Sequence, residues 1–301
     1  MKVAKRIFLF MAVNILVVAT ISIVMGLLGV EPYLNAKGLN YQSLMVFCLL
    51  WGFGGALISL ALSRKMAKWM MGVKLVNEAE RDPVLQSLVE RVHRFSRQAG
   101  LEKMPEVGVY EAEELNAFAT GPSKNRSLVA VSSGLLQKMN TRELDGVLAH
   151  EVAHIANGDM VTMTLVQGVV NAFVMFLARV IGFFVSQLVD EEKRHWVQFG
   201  VVIAAEILLG ILGMIVVSAF SRLREYRADK GGAELASPAS MIAALERLKV
   251  NDRLGSNEEG QSEAGAAIAS FKISGRKSKF LSLFSTHPDL DDRIQRLRQV
   301  G

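Results

Sequence analysis

The chain has 301 residues, of which 51% are hydrophobic, a formal net charge of +5 and a single cysteine, Cys48. One cysteine excludes an intramolecular disulfide framework and is typical of a reducing compartment. No nucleic-acid-binding motif accompanies the positive charge, and the cations flank apolar segments where they can face anionic lipid. The composition therefore favours a membrane protein, and we expect no nucleic-acid partner.

Four apolar segments are each long enough to cross a bilayer, for which about 20 residues suffice. They are residues 7–30, 43–62, 160–189 and 196–220. These segments predict four transmembrane helices in two hairpins. No small-x-small cleavage site follows the first segment, so we interpret it as an uncleaved anchor rather than a signal peptide.

Single charges interrupt the second hairpin at Arg179 and Glu206. The two residues are about equally far from the connecting loop, so they could pair at one depth in the membrane. The alternative is that the spans are shorter and that Arg179 reaches an interface.

Lysine and arginine residues gather outside the hairpins rather than in their connecting loops. They are Lys2, Lys5 and Arg6 before the first segment, Arg64, Lys65, Lys68 and Lys74 after the second, and Arg222, Arg224, Arg227 and Lys230 after the fourth. The positive-inside rule then places the polar segments of the chain in the cytoplasm.

Between the hairpins the sequence predicts a helix followed by short strands. The predicted elements are a helix from Asp82 to Gly100, strands at residues 107–109 and 128–131, and between the strands residues 114–120 with a turn at 121–125. Asp82 precedes a proline and can cap the helix. Val107 and Val109 alternate with other residues, as is typical of a strand, and the apolar run at 128–131 predicts another. We expect a strand pair with an exposed edge.

The next predicted helix carries the most informative motif of the chain. Asn140 and Glu143 have the spacing of a capping box at its start, and His150, Glu151 and His154 follow as an HExxH motif. Residues four apart share a helix face, so both imidazoles can reach one metal while Glu151 contacts a water on it. A zinc-dependent peptide hydrolase needs this arrangement.

A hydrolytic zinc site needs a third protein ligand, and Glu225 is the best candidate. Two membrane crossings separate it from HExxH, so it returns to the side that the chain left. Asp229 shares its helix face and can accept the free ring N–H of a ligand histidine, whereas His93 and His195 are poorly placed to bind the metal. The alternative is a solvated helix face rich in arginine.

In such a site Glu151 would act as general base and proton carrier, and a hydroxyl or cationic group would stabilise the oxyanion. His287 is the first candidate for that second role and Tyr226 the runner-up. The alternative for His287 is an ordinary residue at a helix start.

Taken together, these motifs resemble the HtpX-type membrane metalloproteases, which are relatives of the CAAX prenyl proteases. The resemblance rests on two N-terminal spans, Asn116-Ala117-Phe118-Ala119, HExxH, a second hairpin, Glu225-x-x-x-Asp229, and Ser285-Thr286-His287-Pro288. It covers nearly the whole chain.

The resemblance implies an α+β fold with a small, gluzincin-like, mostly helical catalytic domain and a short sheet. It implies one zinc ion per chain, bound by His150, His154 and Glu225. It also implies Glu151 as general base and Asp229 as a residue that contacts a ligand histidine. The strand Asn116 to Ala119 would pair with an extended substrate backbone.

We expect four segments in chain order. Residues 1–63 form the first transmembrane hairpin, 64–159 the first part of the catalytic domain, 160–220 the second hairpin, and 221–301 the second part of the catalytic domain with the third zinc ligand.

The predicted function is a zinc endopeptidase of the bacterial inner membrane, with a cytoplasm-facing active site. The resemblance implies that it cleaves misfolded or damaged membrane proteins in quality control under envelope or heat stress. The alternatives are a membrane adaptor or holdase that binds without cutting, a CAAX-type protease, and a protease that cuts inside the bilayer. Polar residues on both sides of HExxH favour a site at the membrane surface.

Overall fold

The computed structural model describes residues 38–77, 81–259 and 285–300, together with residues 23, 27, 34 and 35. Apart from residues 23 and 27, the first predicted span lies outside the described residues. The chain divides into two compact units. The first unit comprises Met1–Ala61 and Thr162–Val217, and the second comprises Leu62–Val161 and Ser218–Gly301.

The first unit is built on long apolar helices, preceded by a short hairpin of β1 (Leu34–Asn35) and β2 (Gly38–Leu39). Among the described residues, three helices are long and apolar enough to cross a membrane. They are α1 (Tyr41–Met70), α5 (Asp159–Ser186) and α6 (Glu191–Leu235). These helices confirm the second, third and fourth predicted spans.

Close packing and one ion pair hold the helices of the first unit together. A Cβ atom on Gly52 would meet the backbone nitrogen of Ala172 at 2.7 Å, so only glycine permits this approach between α1 and α5. Arg179 Nη1 lies 2.7 Å from Glu206 Oε1, and the guanidinium carbon is 5.3 Å from the centre of the Phe47 ring. The predicted pairing of the two charges is therefore confirmed.

The second unit contains a four-stranded sheet in the order β3-β4-β6-β5. Its strands are β3 (Lys74–Leu75), β4 (Glu106–Tyr110), β5 (Ala117–Ser123) and β6 (Arg126–Ser132). β6 runs parallel to β4 and antiparallel to β5, which leaves β5 at an edge. The predicted strands and exposed edge are confirmed. The turn is shorter than predicted, because β5 continues to Ser123 through a register shift that contains Gly121 (φ 149°).

Helices cover this sheet and form the core of the second unit. They are α2 (Pro83–Gln98), α3 (Ser133–Lys138), α4 (Thr141–Asn157), α7 (Pro238–Glu259) and α8 (Leu290–Val300). Apolar side chains of α2, β6 and α4 interlock, with Phe95, Val129 and Leu148 at 1% exposure or less. The opposite side of α4 packs against α7. α4 is thus fixed on two sides, which keeps its polar residues in place.

Gly146 allows α4 and α7 to approach each other, and we expect Gly146→Ala to destabilise the protein by about 1–3 kcal/mol, as overpacking typically does. A Cβ atom there would meet the carbonyl oxygen of Ser240 at 2.4 Å. Gly200→Ala is the matched control, because a Cβ atom at Gly200 meets nothing within 4 Å. Thermal unfolding in detergent checks the difference; equal midpoints for the two variants would contradict this account of the packing.

Candidate active site

The helix that carries HExxH is defined at both ends by its own sequence. Asn140 and Glu143 form the predicted capping box, with the Asn140 side chain accepting from the backbone of Glu143 at 3.0 Å and the Glu143 carboxylate accepting from the backbone of Asn140 at 2.9 Å. Gly158 ends α4 in the left-handed conformation (φ 71°). The Lys124 ammonium donates to the carbonyl of Ala156 in the last turn. These contacts fix the position of the motif along the helix axis.

Two imidazoles and one carboxylate meet above this helix. The Nε2 atoms of His150 and His154 are 3.0 Å apart. Glu225, on α6, places Oε2 at 3.5 Å from His150 Nε2 and Oε1 at 3.4 Å from His154 Nε2. All three residues are buried, and Glu225 is only 1% exposed. Glu225 lies 71 positions after His154 in the sequence, beyond the apolar α5 and within α6, and the fold brings it to the two histidines.

A second layer of charged residues surrounds the two histidines. Asp229 Oδ1 lies 3.0 Å from His150 Nδ1, and Asp159 Oδ2 lies 2.6 Å from His154 Nδ1. Arg293, from α8, donates to both carboxylate oxygens of Asp229 at 2.6 and 2.7 Å. Asp229 was predicted from its spacing to Glu225, whereas sequence reasoning missed Asp159 and Arg293.

The three donor groups fit a tetrahedral metal ion. With Zn–N and Zn–O distances of about 2.0–2.2 Å, ligand atoms in a tetrahedral site lie roughly 3.3–3.5 Å apart. The observed separations are close to that value: the two Nε2 atoms are 3.0 Å apart, Nε2 of His150 is 3.5 Å from Oε2 of Glu225, and Nε2 of His154 is 3.4 Å from Oε1 of the same carboxylate. Two facing Nε2 atoms and a buried carboxylate also need a positive charge between them, which a proton or a metal ion can supply.

Protons compete with a metal for these histidines. Burial lowers the pKa of His154, but the contacts with Asp159 and Glu225 outweigh it and raise the pKa to about 9. Burial likewise opposes protonation of His150, and its contacts with Asp229 and Glu225 raise its pKa above the usual value. In the metal-free protein His154 therefore holds its proton at neutral pH, and His150 keeps its proton to a higher pH than a free imidazole does.

We therefore expect zinc binding near neutral pH to release protons, because a ligand nitrogen must be unprotonated. A raised pKa keeps the proton on the ring until the pH passes the folded-state value, so the affinity for zinc should rise with pH toward about 9, the value for His154. Zinc titration by calorimetry in buffers of different ionisation enthalpy measures the protons released. A binding heat that is independent of the buffer would contradict this expectation.

A cavity of about 770 Å³ opens beside the cluster and is lined by Glu151 as well as by His150 and Glu225. His287 also lines it, with Nδ1 at 3.1 Å from Glu225 Oε2 and its side chain 65% exposed. The hydroxyl of Tyr226, the runner-up for oxyanion stabilisation, instead donates to Asp292. His287 is therefore the better placed of the two candidates.

The four residues of the predicted substrate strand, Asn116 to Ala119, do not all have the same surroundings. Asn116 and Ala117 line the cavity, whereas the Phe118 ring packs against Tyr110 at 5.7 Å between ring centres and Ala119 packs on the core. The cavity has an apolar part formed by α7 and its neighbours, including Leu115, Val147 and Leu248. The start of the edge strand and an apolar surface thus line the same cavity.

Known proteins resemble this chain in sequence and in fold. Residues 79–300 match the model of peptidase family M48. A protease HtpX homologue from Bacillus velezensis is 53% identical over 98% of this chain and 99% of its own length. Protease HtpX from Hahella chejuensis is 49% identical over 97% of this chain and 98% of its own length.

The crystal structure of Ste24p from S. mikatae aligns with a TM-score of 0.65 at 17% identity, which is evidence about the fold alone. The alignment covers 98% of this chain but 64% of that one, so this chain spans less than two thirds of Ste24p. The family match and the identities to HtpX proteins go further than the fold. The chain therefore belongs to peptidase family M48 as an HtpX-type membrane protease.

Proposed function

We propose that the protein is a zinc-dependent endopeptidase that cleaves misfolded or damaged membrane proteins from the cytoplasmic side. The observation that carries this proposal is the cluster of His150, His154 and Glu225 beside a cavity lined by Glu151. Two histidines and one carboxylate are a ligand set of catalytic zinc sites, in which the remaining position is left for water or substrate.

His150, His154 and Glu225 would hold the zinc, which when bound lowers the pKa of a water molecule and polarises the scissile carbonyl. Glu151 accepts the proton of the attacking water and delivers it to the leaving amine. His287 can donate to the oxyanion that forms at the carbonyl. Asp229, whose Oδ1 lies 3.0 Å from His150 Nδ1, would orient that ring.

The edge strand β5 supplies the groups that would position the substrate. An edge strand has unpaired backbone donors and acceptors, which an extended peptide can satisfy by adding a strand. Asn116 and Ala117 line the cavity, so a peptide bound there would pass close to Glu151. Binding by strand addition recognises the backbone of the peptide rather than its side chains. It therefore suits a protease that cleaves unfolded segments of many different sequences.

Topology supports a cytoplasmic active site. The apolar helices α5 and α6 form an even number of crossings, and Arg222, Arg224 and Arg227 follow the second of them. Under the positive-inside rule these cations remain in the cytoplasm together with the second unit. Because α4 ends at Asn157, before the apolar α5 begins, cleavage at the membrane surface is favoured over cleavage inside the bilayer.

A general base beside the ligand cluster also favours cleavage over the adaptor or holdase role, since a protein that only binds has no use for Glu151. The likeness to Ste24p concerns the fold and does not select a CAAX-type substrate.

The test is cleavage of an unfolded membrane protein by the detergent-purified chain, with a folded sample of the same substrate as control. We expect cleavage of the unfolded form only, loss of cleavage with a chelator, and recovery on addition of zinc. Cleavage that persists after the metal has been removed would contradict the proposal. In inverted membrane vesicles, cleavage of an externally added unfolded peptide would support the cytoplasmic orientation.

A further inference from the structure

We propose that Asp159 is a positioning residue for His154, holding this metal ligand from the first residue of a membrane helix. The inference rests on the metal site proposed above. Asp159 begins α5, one of the described helices long and apolar enough to span a bilayer.

The contact between the two side chains carries the inference. Asp159 Oδ2 lies 2.6 Å from His154 Nδ1, and Asp159 is 2% exposed. The other ring nitrogen, Nε2, faces His150 and Glu225. Since Nε2 is the ligand atom, Nδ1 carries the hydrogen and donates it to Asp159. The carboxylate thereby selects the tautomer, fixes the ring plane and increases the basicity of Nε2.

Stabilisation of the helix N-terminus does not account for this arrangement. An acidic residue in the first turn of a helix contributes about 0.3–1 kcal/mol at the surface and up to about 2 kcal/mol when partly buried, and this effect needs no contact with a histidine. Asp159 is buried, and it makes a contact of 2.6 Å with a side chain of the preceding helix. A buried carboxylate needs a partner that offsets the cost of removing its charge from water, and His154 is such a partner.

The two histidines are held differently. Asp229 divides its carboxylate between His150 and the guanidinium of Arg293. Asp159 makes an ion-pair contact with His154, and among the described side chains no arginine or lysine is recorded in an ion pair with Asp159. His154 should therefore depend more strongly on Asp159 than a ligand that shares its carboxylate with an arginine.

The link to the membrane helix follows from the chain between the two residues. α4 ends at Asn157 and α5 begins at Asp159, so the junction is the single residue Gly158, in the left-handed conformation with φ 71°. A shift of the first turn of α5 would move the carboxylate relative to His154. The carboxylate that contacts this metal ligand is thus carried by the first residue of the helix.

The experiment measures metal binding rather than cleavage. Full-length wild type, Asp159→Asn, Asp159→Ala and the control Asp82→Asn are purified in detergent, stripped with a chelator and titrated with zinc against a competing dye. Asp82 is a matched control because it also lies at a helix start, where its side chain accepts from the backbone of Val84. The visible absorption of Co²⁺ added to each stripped protein reports the ligand geometry.

We expect Asp159→Ala to weaken zinc binding by about 10–100-fold, the usual effect of losing such a partner. Asp159→Asn should lie between Asp159→Ala and wild type, because its amide oxygen still accepts from Nδ1 but carries no charge. Both variants should change the Co²⁺ spectrum, and Asp82→Asn should match wild type in affinity and spectrum. If Asp159 only stabilised the start of α5, replacing it would lower the unfolding temperature and leave the Co²⁺ spectrum unchanged.

Wild-type affinity and an unchanged Co²⁺ spectrum in both Asp159 variants would overturn the inference and leave the metal site intact. If Asp159→Ala does not fold, the isosteric Asp159→Asn decides the question by the same criterion. If wild type itself binds neither metal, the proposed metal site fails, and this inference falls with it.

Discussion

Replacing Glu151 by Gln should remove cleavage while leaving the metal in place. A positioned general base typically contributes about 10²–10⁴-fold to a rate, and glutamine cannot accept the proton. The change keeps the size of the side chain, and Glu151 lies beside the metal ligands rather than among them. The measurement is the initial rate of cleavage of an unfolded protein, together with zinc content determined on the same samples.

The matched control for this variant is Glu90→Gln, an exposed glutamate on α2, which should cleave like wild type. If the Glu151→Gln protein keeps more than about a tenth of the wild-type rate, the loss falls below the usual contribution of a general base, and Glu151 is not that base. If the Glu151→Gln protein loses its zinc together with its activity, Glu151 is instead a residue that the metal needs for binding.

Arg293 should have the largest effect on stability among the residues around the site. We expect Arg293→Met to destabilise the protein by up to about 3–5 kcal/mol, the usual cost of removing one partner of a buried ion pair, with the contact between Asp229 and His150 offsetting part of that cost. Arg293 is 6% exposed, and its partner Asp229 is 3% exposed. Methionine keeps much of the apolar stem but cannot neutralise the carboxylate.

The control is Arg298→Met on the same helix. The Arg298 side chain is 63% exposed and pairs with Glu246, so we expect a loss of under about 1 kcal/mol. Denaturant unfolding of the metal-free proteins in detergent compares the two variants. Equal destabilisation would contradict the role of Arg293. Adding Asp229→Asn to Arg293→Met should recover part of the loss, because the unpaired charge is then gone.

The local part of this site could be predicted because it depends on helix spacing. His150 and His154 are four residues apart, Glu225 and Asp229 repeat that spacing, and Asn140 with Glu143 specifies where α4 begins. Such patterns follow from 3.6 residues per turn and need no knowledge of the packing. The apolar helices could be predicted for a similar reason, since length and composition are sufficient.

The contacts of Asp159 and Arg293 could not be predicted in the same way. Asp159 stands between HExxH and an apolar run, where an acidic residue is expected at a helix start whether or not it contacts a histidine. Arg293 lies on an amphipathic helix rich in acids and bases, and only the packing of α8 brings it to Asp229. A hint was available in retrospect: Arg293 is one turn beyond Pro288 and Asp289, close in sequence to His287.

The edge strand shows the same limit. The sequence pattern predicted the strands, but it could not show that Asn116 and Ala117 line the cavity while Phe118 packs against Tyr110. That division depends on the sheet order, in which β5 pairs with β6 alone among the described strands.

The most direct test of the account is the metal content of the purified protein, measured by elemental analysis in wild type, Glu151→Gln and Glu225→Ala. The account predicts one zinc ion per chain in wild type and in Glu151→Gln, and its loss from Glu225→Ala, because the third ligand has been removed. Stoichiometric zinc in Glu225→Ala, or wild type that binds no metal after zinc is supplied, would contradict it.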